Sequence, residues 1–129
     1  MKNIFNNKGQ SMVEFTLILP IFLILLLGMF DTSRILSTKI VLQNTARNAA
    51  RVAAITNSDS STINEINTGT VSLDTSKLNY TITPSESYRS IGENVTININ
   101  YTIDINTPII SNIFGDNVIV AGESVMRVE

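Results

Sequence analysis

Between Glu14 and Asp31 stand sixteen residues, FTLILPIFLILLLGMF, without a single charge. As a helix rising ~1.5 Å per residue the run reaches roughly 24 Å, short of the roughly 30 Å hydrocarbon core of a bilayer. Extended back to Gln10 it covers 21 residues, and roughly 31 Å is enough to span. That extension draws Glu14 inside the apolar stretch. A carboxylate there costs on the order of 2.5–3.5 kcal/mol near mid-membrane and less near an end. An ionisable group in such a place is a functional residue by default. Pro20, inside the run, removes one backbone donor and is expected to kink the helix.

Other readings of the run fit less well. A cleaved secretory signal needs small residues soon after the apolar core. The sequence there is Gly28-Met29-Phe30-Asp31-Thr32-Ser33-Arg34, without an A-x-A pattern. An uncleaved signal anchor fits the charges but leaves Glu14 unexplained. A core helix of a water-soluble domain has no need for so unbroken a run of leucine and isoleucine.

The charges divide the chain. Lys2 and Lys8 give the first ten residues +2, whereas residues 57–129 hold nine acids against Lys77, Arg89 and Arg127, a net −6. A basic end and an acidic body suit a cytoplasmic N-terminus and an exported C-terminal part. Neither half concentrates the positive charge that nucleic acid requires. With no cysteine and no histidine, disulfides, thiolate chemistry and ordinary zinc sites are excluded. No metal or cofactor is expected. A small exported domain of this kind is held by its own core or by neighbouring subunits.

The helical pattern continues over residues 31–56 without glycine or proline. At 100° per residue Ile35, Leu42, Ala46, Ala49, Ala50 and Ala53 fall on one side, and Asn44, Arg47, Asn48 and Arg51 on the other. Lys39 breaks the pattern on the apolar side. The alanines allow another backbone to approach closely. Residues 57–70, rich in Ser, Asn, Asp and Thr, read as a loop. Short strands are expected at 71–74 and 78–83. From Val95 to Ile105 apolar and polar residues alternate, a half-buried strand with one face for the helix. Pro108 ends it, residues 109–114 form a short helix or turn, and 118–128 read as a last strand with Gly122 marking a bulge. The likeness of LNYTIT and INYTID makes their strands neighbours. The expected fold is therefore α+β: one long N-terminal helix, membrane-spanning below and amphipathic above, packed on a small antiparallel sheet. The expected divisions are a leader at 1–9, a membrane helix at 10–30, its extension at 31–56 and an exported β-rich part at 57–129.

No catalytic constellation is visible. Without His or Cys the usual acid–base and thiol arrangements are missing, and Ser58–Ser61 has no adjacent base. An exported enzyme would need a carboxylate pair, for example Asp104 with a neighbouring acid. The acceptor patterns at Asn79, Asn94 and Asn100 arise readily in an Asn- and Thr-rich strand region. Glu14 remains the one residue whose chemistry asks for a partner. A cut between Gly9 and Gln10 would expose an α-amino group one helical turn from Glu14, on the same face. Ammonium and carboxylate in an apolar medium each need a counter-charge. A neighbouring subunit could supply one, which would turn Glu14 into a register device.

Lys8-Gly9-Gln10-Ser11-Met12-Val13-Glu14-Phe15 followed by an apolar run resembles the processing site of type IV pilin-like proteins. More narrowly, KGQSMVEFTLILPIFLILLLGMFD resembles the TadE-like family of tight-adherence (Flp-type) pseudopilins. TARNAARVAAI at residues 45–55 is similar to that family's alanine- and arginine-rich helical segment, and the ending SVMRVE to its C-terminal strand. Residues 57–117 carry no matching motif. The family's acidic residue after the span is usually followed by an aromatic, whereas Asp31 is followed by Thr32. The resemblance implies cutting after Gly9 by a prepilin peptidase and a role for Glu14 in cleavage or subunit registration. It implies a minor pilin that joins or anchors a pilus in the cytoplasmic membrane of a bacterium or archaeon, with other pilins and the assembly machinery as partners. A major pilus subunit, or an uncleaved single-pass protein with an exported partner-binding domain, are the alternatives.

Overall fold

The structure, a computed structural model, describes residues 7–129. Residues 1–6 of the expected leader, with Lys2, lie outside the described residues. Three helices and three strands follow in the order α1 (Asn7–Thr56), α2 (Asp59–Gly69), β1 (Leu78–Thr83), β2 (Asn94–Asp104), α3 (Pro108–Phe114) and β3 (Asn117–Arg127). This is the expected α+β fold, a long N-terminal helix on a three-stranded antiparallel sheet of order β1-β2-β3.

Helix α1 is unbroken for 50 residues, with Pro20 inside it, and measures roughly 75 Å. Its two halves meet different surroundings. Residues 9–25 are all exposed, and the apolar window of the helix has none of its residues buried within the chain. Farther on, Leu42, Ala46, Ala49, Ala50 and Ala53 are completely buried, and Ala54 nearly so. Asn44, Arg47, Asn48 and Arg51 are exposed on the opposite side. The helix ends at Asn57, whose left-handed φ of 48° turns the chain, as asparagine tolerates at a helix C-terminus.

Strand β2 bears out the alternation. Val95, Ile97, Ile99 and Ile103 are buried while Asn94 and Asp104 are exposed. LNYTIT and INYTID pair directly, Leu78 opposite Tyr101 and Tyr80 opposite Ile99. The inner face of the sheet closes on the alanine stripe of α1, with Val120 and Val128 completing the core. Small side chains matter here because they let helix and sheet come close. Gly122 shows how close: a Cβ added there would lie 2.5 Å from the carbonyl carbon and oxygen of Leu42. The expected bulge at Gly122 is absent, since the pairing of β2 with β3 runs in unbroken register from Asn94–Arg127 to Asp104–Asn117. The glycine serves helix–sheet approach instead.

Lys39, the residue out of pattern, donates from Nζ to the carbonyl of Ala121. Gln43 Nε2 donates to the carbonyl of Glu123 at 2.7 Å. β3 is an edge strand, and these side chains of α1 cover part of its free edge.

Two further expectations are corrected. Residues 57–70 hold helix α2, not a loop. Ser58 caps it, accepting from Ser61 N–H at 3.5 Å, and Asp59 sits in its first turn, where negative charge is favourable. Its buried stripe is Thr62, Ile66 and the following Thr70. Thr62 and Thr70 return their hydroxyls to the carbonyls of Ser58 and Ile66 at 2.7 Å. A stripe two-thirds threonine reads as polar in sequence, yet it packs because these hydroxyls are satisfied locally. The strand expected at 71–74 is a turn closed by Leu73 N–H on the carbonyl of Thr70 at 2.9 Å.

Candidate functional site

The residues singled out from the sequence fall into two groups, far apart along α1. Gly9 and Gln10 lie in its exposed first turns, and the space around Gly9 is open: an added Cβ would meet nothing within 4 Å. Gln10 Nε2 donates to Glu14 Oε1 at 3.2 Å. The two residues therefore share a helix face, as i and i+4 must. In the uncut chain Glu14 already faces a donor on Gln10, the residue that would gain an ammonium at the same end of the helix. Glu14 is exposed. Thr16 in the span and Thr32 just beyond it turn inward on their own helix, Thr16 Oγ1 to the carbonyl of Met12 and Thr32 Oγ1 to that of Gly28, both at 2.8 Å. A hydroxyl satisfied in this way is tolerated in lipid; a carboxylate is not hidden so simply.

At the other end of the apolar run lies a contact the sequence did not disclose. Asp31 is only 6% exposed. Its Oδ2 accepts from the backbone N–H of Thr107 at 3.1 Å and from the Thr107 hydroxyl at 2.5 Å. The Arg34 guanidinium is 3.7 Å from Oδ1. Thr107 is itself nearly fully buried and precedes Pro108, the first residue of α3. The carboxylate thus fixes the chain that follows β2 against the top of the span. One turn below, a Cβ built on Gly28 would lie 3.5 Å from Ile110 Cδ1, so α3 rests beside the last turn of the apolar run. Nothing in sequence joins Asp31 to a threonine 76 positions later. The one available signal was an acid placed directly at the end of a long uncharged run.

The helix-packing set divides. Ala46, Ala49, Ala50 and Ala53 come together on the seam between α1, the sheet and α2. Pro20 is exposed in the membrane half and stands outside that seam. Glu14 and Ala46 are separated by roughly 48 Å of helix. The alanines therefore hold the folded part together and do not touch the Gly9–Glu14 end of the helix. On the far side of the seam Gly69 of α2 approaches α1 so closely that a Cβ would lie 2.4 Å from Thr45 Oγ1.

Asp104, the acid that an enzyme reading would pair with a second carboxylate, meets Lys77 at 2.5 Å. That hydrogen bond raises the lysine above its ordinary pKa. Asp59 of α2 pairs with Arg89, whose side chain is fully buried. Arg89 also donates to the carbonyl of Pro84 at 3.1 Å. Asp59 and Glu86 exchange backbone and carboxylate hydrogen bonds at 2.9 and 3.0 Å. These contacts clasp the β1–β2 connection to the start of α2. They are fully used within the fold.

Comparison with known families identifies one segment. Residues 9–51 match the model of the family described as TadE-like protein, so the resemblance drawn from the sequence holds over the first turns of α1, the span and most of the alanine-rich extension. The match ends inside α1, and the sheet, α2 and α3 lie beyond it. No curated protein and no solved structure matches the chain significantly. The TadE-like family is a structural one associated with tight-adherence pili. Among the described residues one helix, exposed along its apolar run, is long and apolar enough to cross a membrane, which suits a membrane-anchored protein.

Proposed function

We propose that the chain is a minor pilin, or pseudopilin, of a tight-adherence pilus system. It is made with a basic leader on the cytoplasmic side, cut between Gly9 and Gln10 by a prepilin peptidase, and held by its span until it joins or anchors a pilus with other pilins. The observation that carries this reading is the placement of Glu14. It is a carboxylate on the exposed, apolar half of α1, one turn from Gln10, inside the segment that matches the family. After the cut, Glu14 would answer the α-amino group of a neighbouring Gln10, since both charges are costly in lipid and each offsets the other's desolvation.

Two further features support assembly. Leu36 and Ile40, above the span, remain 60% and 54% exposed, continuing an apolar stripe out of the membrane half on a side the sheet does not cover. Arg47 and Arg51 follow on the same side at helical spacing, exposed and charged, so the apolar part of the strip ends at Ile40. Such a strip is suited to packing along a second helix.

The test is made in cells that contain the assembly machinery. The chain should appear in, or cross-link to, the sheared pilus fraction. Glu14→Ala should reach the membrane at normal abundance yet be depleted from that fraction about tenfold or more, as loss of a buried charge partner of 1.4 kcal/mol or more requires. Undiminished incorporation of Glu14→Ala would contradict registration by this residue. Absence of the wild-type chain from pili and pilus complexes would contradict the pilin reading.

A further inference from the structure

Helix α3 lies at an unexpected depth. Its Ile110 packs beside Gly28, two residues short of the last residue of the span, and thus ~3 Å below its end. Between α3 and α1 runs a groove of about 630 Å³ whose walls include Leu25, Gly28, Met29, Leu36 and Ile110. Met29 is 69% exposed, and Ile113, on α3 itself, is 70% exposed.

We propose that α3 and this groove form an interfacial foot, lying in the bilayer boundary at the C-terminal end of the span with lipid as its occupant. The inference rests on the membrane reading of α1. Lipid is favoured because the groove is continuous with the span: its lower wall is the apolar run. From Ile105 to Gly115 the sequence, INTPIISNIFG, carries no charge, whereas Asp104 and Asp116 flank it. The acid at the same level, Asp31, is covered by Thr107 and withdrawn from its surroundings. Arg34, half-exposed, stands roughly 9 Å above Gly28 along the helix, where a guanidinium can reach lipid phosphates. Interfacial helices bury their apolar face about 5–10 Å into this boundary. The foot sets the depth and tilt of α1, because a helix gripped at one end by the interface cannot slide freely through the bilayer.

The chain has no tryptophan, so one introduced indole reports alone. The full chain is reconstituted at low density in phosphatidylcholine vesicles whose acyl chains are brominated either near the head group or near the tail. Ile113→Trp tests the foot, Phe22→Trp the span, and Ile91→Trp, at an 83% exposed position beside the strand end that meets Ala54, the distant water-facing part. The foot requires Ile113→Trp to emit to the blue of Ile91→Trp and to be quenched about twofold or more better by the shallow than by the deep bromines. Met29→Trp, on the α1 wall of the groove, should behave like Ile113→Trp. If Phe22→Trp is quenched while Ile113→Trp matches Ile91→Trp, the foot is wrong and the span stands. If Phe22→Trp is not quenched, the membrane reading falls and the foot with it. A blue shift of Ile113→Trp that needs high protein density and shows no bromine quenching identifies a second copy as the occupant and overturns the proposal.

Discussion

Single residues at the two ends of the apolar run carry opposite solutions to one problem, the placing of a carboxylate at a membrane. Glu14 is left exposed and costly, while Asp31 is buried against Thr107 and satisfied. Replacing Asp31 by Ala leaves a buried amide and hydroxyl without an acceptor, a loss of ~1–3 kcal/mol. The expected outcome is a lower unfolding midpoint in detergent or nanodiscs, with Asp31→Asn closer to wild type because its amide oxygen can still accept. Gly122→Ala is expected to cost about as much, ~1–3 kcal/mol, since its Cβ has no room beside the Leu42 backbone. The same measurement checks it, and an unchanged midpoint would show that helix and sheet can separate freely. Asp74 accepts from Ser76 N–H and Oγ at 2.9 and 2.7 Å, and these bonds hold its pKa below the ordinary 3.8. Its contribution is therefore complete above that value and is lost as pH falls through the lowered one. Lys77, raised by Asp104 above the ordinary 10.5, contributes fully below that value and loses its contribution at higher pH. Neither group should give a slope near neutrality. Asp74→Asn should alter only the acid limb of a stability-against-pH curve.

Among the elements, those with an undiluted pattern were legible and those stabilised by distant partners were not. The alternation from Val95 to Ile103 and the alanine stripe from Ala46 to Ala53 each state their buried face outright, because burial removes polar residues from one side only. Helix α2 was hidden because its buried stripe, counted with the Thr70 that follows it, is two threonines to one isoleucine, and threonines count as polar until their hydroxyls find a carbonyl one turn back. Its start depends on Arg89 and Glu86 from another part of the chain, information no local window contains. At the candidate site, the shared helix face of Gln10 and Glu14 could be read from their spacing, whereas the burial of Asp31 could not, since its partner comes after the whole sheet. The α2 clasp makes its own prediction. Asp59→Ala strands the buried Arg89 charge and should cost about 3 kcal/mol, seen as early loss of helicity in denaturant. The double variant Asp59→Ala/Arg89→Met should recover part of it.

At the scale of the molecule, α1 does two jobs with two chemistries. Its lower half is apolar all round and unburied, which suits lipid or a bundle of like helices; its upper half is small and apolar on one side, which suits a sheet. The folded part has a closed core built on α1, so the surroundings of the lower half can change without refolding above. That division makes an N-terminal cut tolerable, because residues 9–25 make no buried contact with the remainder of the chain. The cut itself is open to a single determination, the intact mass of the protein isolated from its native membranes. A mass equal to residues 10–129, with or without one methyl group on the new amine, is the predicted result. A chain still carrying the residues before Gln10, in cells that contain an active prepilin peptidase, would contradict it.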